Sequence, residues 1–153
     1  MEIKVESKSK KNADIIKENY CGKYSDLLSF LLYKYQYIYF LNEDSYFASN
    51  MNKLSNDSLV HFEIIGKLIK LLGDDPIINN IDLNENYFTT DKEKVLEIDI
   101  RLTKEKIINY TKSLNNINDD NIKDILNDFI IEERKNLEIL EILQLKYKRE
   151  KFY

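Results

Sequence analysis

The chain has 153 residues, 43% of them hydrophobic and 33% charged, with 27 acidic against 23 basic side chains and a net charge of −4. Three Gly and one Pro are too few for the many tight turns of a β-rich domain, and no spacing for a glycine-rich phosphate loop occurs. One Cys and one His exclude a disulfide scaffold, a cysteine-based zinc site and any multi-histidine site, and the mildly acidic balance lacks the basic footprint of a nucleic-acid binder.

That length suits one domain. No apolar run approaches the ~18 residues that span a membrane, and the start of the chain lacks the apolar centre of a signal peptide, so the expected location is cytoplasmic. Residues 1–12, with Lys8, Lys10 and Lys11 among polar neighbours, are expected to form a flexible N-terminal segment ahead of a single bundle over 13–150.

Helical periodicity runs through four stretches. The first covers about Ala13 to Leu41, with Ile16, Tyr20, Leu27, Phe30, Leu31, Tyr37, Ile38 and Leu41 as its apolar positions. Within it, Tyr33 to Phe40 places Tyr at alternate positions, a strand-like period. Helix is still expected, because the segment continues an unbroken pattern and a lone strand would have no partner. The second stretch runs from Ser45 or Tyr46 to Leu72, through Leu54, His61, Ile65 and Leu68, and Gly73 with Pro76 closes it. Residues 74–89 are polar, Asn-rich and without helical pattern. The third stretch begins near Thr90, where Thr90 and Glu93 have capping-box spacing, and ends near Leu114. After a short turn at 115–119, the fourth runs from about Asp120 to Lys148.

Short connections force antiparallel neighbours, so stretches one and two form one hairpin and stretches three and four another. Sixteen residues between them can extend along a whole bundle at roughly 3.3 Å each. The expected fold is all-α, a four-helix bundle of two antiparallel hairpins joined by a long crossover.

A bundle core should be apolar, so polar residues on the core stripes stand out. Asp26 and Ser29 fall on the first stretch, Ser58 and His61 on the second, Asp99 and Thr103 on the third, and Glu133 and Asn136 on the fourth. Each set lies at a comparable distance from its hairpin loop. Ser58/His61 and Glu133/Asn136 are i, i+3 pairs, which share a helical face.

With these residues in view, the chain resembles ferritin-like proteins of the rubrerythrin and bacterioferritin kind over about residues 14–145. The resemblance rests on Asn19-Tyr20-Cys21-Gly22-Lys23-Tyr24-Ser25-Asp26-Leu27, on Asp57-Ser58-Leu59-Val60-His61-Phe62-Glu63-Ile64-Ile65-Gly66, and on the exit Leu71-Leu72-Gly73-Asp74-Asp75-Pro76. Asp99-Ile100-Arg101-Leu102-Thr103 and Ile131-Glu132-Glu133-Arg134-Lys135-Asn136 fall where the other ligand motifs belong. Such bundles hold two irons with Glu on the first and third helices and Glu-x-x-His on the second and fourth.

Carried over position by position, the resemblance implies Asp26 as a shortened carboxylate, Ser58 in place of a bridging Glu, and His61 as the retained histidine. It also implies Thr103 in place of Glu, Glu133 retained, and Asn136 in place of His. Asp26, His61 and Glu133 would then face one ion, while the ligands private to the second are gone.

Two outcomes follow for function. In the first, the chain is a degenerate ferritin-like protein that has lost the di-iron ferroxidase centre and acts as a structural or interaction protein without a cofactor. In the second, Asp26, His61 and Glu133 hold one Fe or Mn ion with O2- or peroxide-linked redox activity, a one-His, two-carboxylate ligand set. The plainer account of His61 is a core histidine hydrogen-bonded to Asp26 or Glu133. Glu63, Glu132 and Glu138 are expected on solvated faces, and Cys21 as a small buried hydrophobe. The Tyr-rich first hairpin suggests a homodimer through that hairpin, with neither nucleic acid nor membrane as partner.

Overall fold

The computed structural model describes residues 2–152. Five helices follow in order: α1 (Lys10–Lys17), α2 (Asp26–Phe40), α3 (Ser45–Leu71), α4 (Lys92–Asn116) and α5 (Asp120–Phe152). A single 3-10 turn at Glu85–Tyr87 interrupts the long connection between α3 and α4. No helix among the described residues is long and apolar enough to cross a membrane.

Side-chain acceptors start each helix where the sequence offers them, which satisfies backbone N–H groups that lack a partner within the helix. Ser9 accepts from the Asn12 N–H, Ser25 from Leu28, Asp44 from Phe47, and Asp91 from Glu93. The Asp119 carboxylate accepts from the Ile122 N–H at 3.2 Å and so caps α5. The cap of α4 is thus Asp91, one residue beyond the expected Thr90. At the other end of α3, Gly73 takes φ +94°. The Gly73 N–H donates to the Lys70 carbonyl and the Asp74 N–H to Ile69, a Schellman pair that glycine's left-handed freedom permits.

The first expected stretch is two helices. Residues 18–25 turn away between α1 and α2, with Ser25 opening the new helix and the buried Asn19 amide donating to Ser113 Oγ at 2.7 Å. The apolar spacing hides this break because Ala13 and Ile16 before it, Tyr20 and Cys21 within it and Leu27 after it enter the same apolar cluster. α1 starts inside the segment 1–12 expected to be flexible. Ahead of it, Ile3 and Val5 pack on that cluster, and the Ser9 N–H donates to the Leu72 carbonyl at 3.1 Å. The alternating tyrosines of 33–40 are helical, as expected, inside α2.

Cross-helix contacts fix the topology. Between α2 and α4, Asp26 meets Tyr110, Tyr33 meets Thr103 and Gln36 meets Asp99, so residue numbers rise on one as they fall on the other. α2 and α3 run antiparallel through Phe30–Ser55 and Phe40–Phe47, and α3 and α5 through Lys53–Asn136 and His61–Glu132. With α2 antiparallel to both α3 and α4, those two must be parallel. The connection between them therefore runs the length of the bundle, which is the ferritin-like plan.

The core has two main apolar clusters. One gathers α1, the second half of α3, the end of α4 and the start of α5, and includes Ile65, Leu68, Tyr110, Leu126 and Phe129. The other surrounds the α2–α3 turn with Phe40, Phe47, Met51, Leu54, Leu96 and Leu140. Between them lies a layer of buried polar side chains.

Candidate metal centre

Each long helix contributes to that layer. α2 brings Asp26 and Ser29, α3 brings Ser58 and His61, α4 brings Lys106 and Tyr110, and α5 brings Glu133. Spacings of three or four residues put each pair on one helical face, directed at the bundle axis. All seven are buried, and Lys106 keeps only 1% of its surface.

Asp26, His61 and Glu133 converge as expected. His61 Nδ1 lies 3.3 Å from Glu133 Oε1 and 3.6 Å from Asp26 Oδ1. One potential ligand atom from each of the three lies within 4.8 Å of the other two. The imidazole stacks on Phe129, with ring centroids 4.0 Å apart and planes 22° apart. Its Nε2 bonds to Glu132, and the Tyr110 hydroxyl donates to Asp26 Oδ2. Glu132 was expected on a solvated face, yet its half-exposed carboxylate reaches round α5 to close the outer side of the histidine.

Two members of the layer, Lys106 and Tyr110, were not singled out by periodicity alone, and Lys106 is the one that brings a cation. Its ammonium lies 3.0 Å from Glu133 Oε1 and 3.4 Å from Asp26 Oδ1, the same two oxygens that face His61. It also donates to Ser29 Oγ at 3.2 Å and to Ser58 Oγ at 3.5 Å. The signal was present on α4: Asp99, Thr103, Lys106, Tyr110 and Ser113 advance by alternating four and three residues, and all five are buried.

The three substituted positions behave differently from one another. Ser58 stays in the layer as an acceptor for Lys106. Thr103 lies one turn away from Lys106 along α4, paired with the Tyr33 hydroxyl at 3.0 Å and donating to the Asp99 carbonyl at 2.7 Å. Asn136 accepts from Lys53 at 3.4 Å, on the side of α5 that faces the α3 surface.

Charge balances inside the layer. Burial opposes charge on His61, but Asp26 and Glu133 beside it outweigh this and lift its pKa to about 10. Burial likewise opposes charge on Lys106, and the same two carboxylates overcome it and hold the ammonium above its ordinary pKa. For Glu133 burial favours the neutral acid, whereas Lys106 and His61 reverse the sign and hold the carboxyl below its usual range. Burial pushes the Tyr110 phenol well up, and Asp26 and Glu133 add to that. Lys106 and His61 thus face the carboxyl groups of Asp26 and Glu133 from opposite helices.

A two-metal centre needs carboxylates to bridge ions about 3.5–4 Å apart. Ser58, Thr103 and Asn136 cannot supply that set, and Lys106 brings positive charge into it, so these residues do not fit a dinuclear ion pair. The 3.3 and 3.6 Å from His61 Nδ1 to the two carboxylate oxygens match the spacing of a single site. Atoms bound at about 2.0–2.2 Å around one tetrahedral ion stand roughly 3.3–3.6 Å apart.

No family model and no curated protein sequence matches the chain. Solved structures do. The manganese catalase KatB from Anabaena superposes with TM-score 0.83 at 16% identity, covering 97% of this chain and 77% of that one. A bacterioferritin from Rhodobacter capsulatus, described with a metal-free dinuclear site and a heme iron, superposes with TM-score 0.72 at 18% identity over 94% of this chain and 89% of its own. The chain therefore has the ferritin-like four-helix-bundle fold of these structures, and Asp26, His61 and Glu133 form a cluster that could hold one metal ion.

Proposed function

We propose that this ferritin-like chain is a structural or interaction protein that no longer runs two-metal oxidation chemistry. The observation that carries the reading is Lys106: α4 delivers an ammonium to the carboxylates that two metal ions would have to share. Without two adjacent metals, nothing in the layer can take two electrons to O2 or peroxide together. What the layer does hold is a self-neutralised set of ionic side chains from four helices. It fixes their register in the way that buried polar groups specify packing in some bundles.

An interaction role is supported by the tip of the α2–α3 hairpin, where Ile38, Tyr39, Leu41 and Tyr46 are exposed. Large apolar side chains left exposed on one hairpin fit an association site, and we assign a second copy of the chain to it. Sedimentation should then show a dimer that Ile38→Glu dissociates, whereas a monomeric wild type overturns this part.

The decisive experiment grows the untagged protein with excess iron and manganese and measures bound metal together with O2 and peroxide consumption. The expected result is less than stoichiometric metal and no turnover. The convergence of Asp26, His61 and Glu133 favours a second reading, a single Fe or Mn ion with O2- or peroxide-linked activity. Stoichiometric metal in the wild type, lost in His61→Ala and accompanied by turnover, would establish that reading in place of ours.

A further inference from the structure

Among the described residues, Lys106 is the only buried lysine, and every partner of its ammonium belongs to the candidate centre. It lies 3.0 Å from Glu133 and 3.4 Å from Asp26 as ion pairs and donates to Ser29 Oγ and Ser58 Oγ at 3.2 and 3.5 Å. Two of these are the carboxylate oxygens that also point at His61 Nδ1. An ion held by those oxygens and that nitrogen would sit about 2 Å from each. It would press against an ammonium that lies 3.0 and 3.4 Å from the same two oxygens. Two cations cannot share them without strong repulsion in a site shielded from water.

The neutral hydroxyl of Ser58 fits this arrangement. An ammonium needs an acceptor there, whereas a third carboxylate, placed on α3, would leave the layer with excess negative charge. Ser58 and Lys106 thus read as a matched pair: one position gives up a negative charge, and the other supplies a positive one.

We propose that Lys106 is a built-in cation standing where a metal ion would bind, and that removing its charge turns Asp26, His61 and Glu133 into a site for one divalent cation. This rests on the metal-free reading of the wild type given above, and it assigns the cause of that state to one residue. The donor geometry is already present; the competitor is covalently attached.

The test compares wild type, Lys106→Met and Lys106→Arg, each titrated with Co(II) alone and with Mn(II) alone. Lys106→Met keeps the unbranched apolar stem, one atom shorter, and removes the charge. It should bind one Co(II) per chain at least 100-fold more tightly than wild type, with visible ligand-field bands of a nitrogen- and oxygen-ligated ion. Mn(II) should bind with the same stoichiometry. The further change His61→Ala should abolish both, and Lys106→Arg, which keeps the charge, should bind no better than wild type.

A Lys106→Met protein with wild-type helix content and no gain in metal affinity overturns the proposal, as does Lys106→Arg binding as tightly as Lys106→Met. If Lys106→Met loses helix content without metal, one equivalent of Co(II) must restore it, and failure to do so also counts against the proposal. Metal found in the purified wild type overturns both this inference and the reading of function. A metal-free wild type with a non-binding Lys106→Met overturns this inference alone.

Discussion

Two groups of buried polar side chains lie two turns apart along α4, and they treat a buried carboxyl in opposite ways. In one, Glu133 faces Lys106 and His61, which overcome the effect of burial and hold it ionised, below the ordinary range. In the other, Asp99 has the Gln36 amide as its hydrogen-bond donor, 2.8 Å from Oδ1, with Tyr33 and Thr103 nearby and no cation paired with it among the described residues. Burial then prevails, and the Asp99 pKa is pushed up to about 8. Both residues are about 1% exposed, so desolvation alone does not separate them. The partner decides. A buried carboxyl in this bundle is charged where a helix opposite supplies a cation and neutral where it supplies an amide.

The largest effect should come from unbalancing the charged group. Glu133→Gln keeps the shape of the side chain but leaves Lys106 and His61 with Asp26 as their one buried carboxylate. Breaking a buried ionic set by removing one partner costs about 3–5 kcal/mol. Chemical denaturation at pH 7 should show a lower midpoint at an unchanged slope, the product of shift and slope giving that loss. A loss below ~1 kcal/mol would mean that the ionic layer has little hold on the fold.

The neutral group should respond in the other direction, and with pH. Asp99 ionises near 3.8 in the unfolded chain and near 8 in the folded one, so the folded state holds the proton more tightly. The stability tied to that proton is fully present below about pH 4. It falls as pH rises towards 8, and the loss is complete once the folded carboxyl ionises too. Asp99→Asn cannot ionise and keeps an oxygen to accept from Gln36. It should therefore match wild type near pH 4 and exceed it by about 1–3 kcal/mol at pH 8. Denaturation midpoints at several pH values check this. Parallel curves for the two proteins would show that Asp99 is not the group titrating.

The two groups also differ in how much of each can be read from the chain. His61 and Glu133 are conspicuous because they interrupt apolar stripes, and Asp26 follows from its place one turn before Ser29 and Phe30. The hairpin order was legible too, since Gly73 and Pro76 end α3 and the residues after them are too many for a tight turn. Lys106 was not, although it fits the same stripe. Lysine is the side chain least often buried, so at that spacing it reads as part of a solvated face. Nothing local reveals that Asp26 and Glu133, 80 and 27 residues distant, wait for it across the bundle.

Glu132 was missed for the opposite reason: it does lie off the stripe, and only its reach brings it to His61. The break at 18–25 escaped notice because apolar spacing reports which residues enter a core, and both helices enter the same one. Gly22 and Ser25 were the local clues.

The finest test gives the neutral group what the charged one has. Gln36→Lys places an ammonium on α2 facing Asp99, one atom longer than the amide it replaces, as Lys106 on α4 faces Asp26. If a cation is what separates the two groups, Asp99 should ionise in the folded state, its pKa dropping from about 8 to below about 5. Carboxyl-carbon NMR titration reads this directly. Stability at pH 7 should move by no more than ~1 kcal/mol, because an added buried ion pair roughly balances its own desolvation. The pH dependence predicted for the wild type between 4 and 8 should flatten with it, since folded and unfolded Asp99 would then release their protons over nearly the same range. An Asp99 that still titrates near 8 beside the new lysine would mean that the depth of the layer, and not the partner across it, sets the charge of these carboxyls.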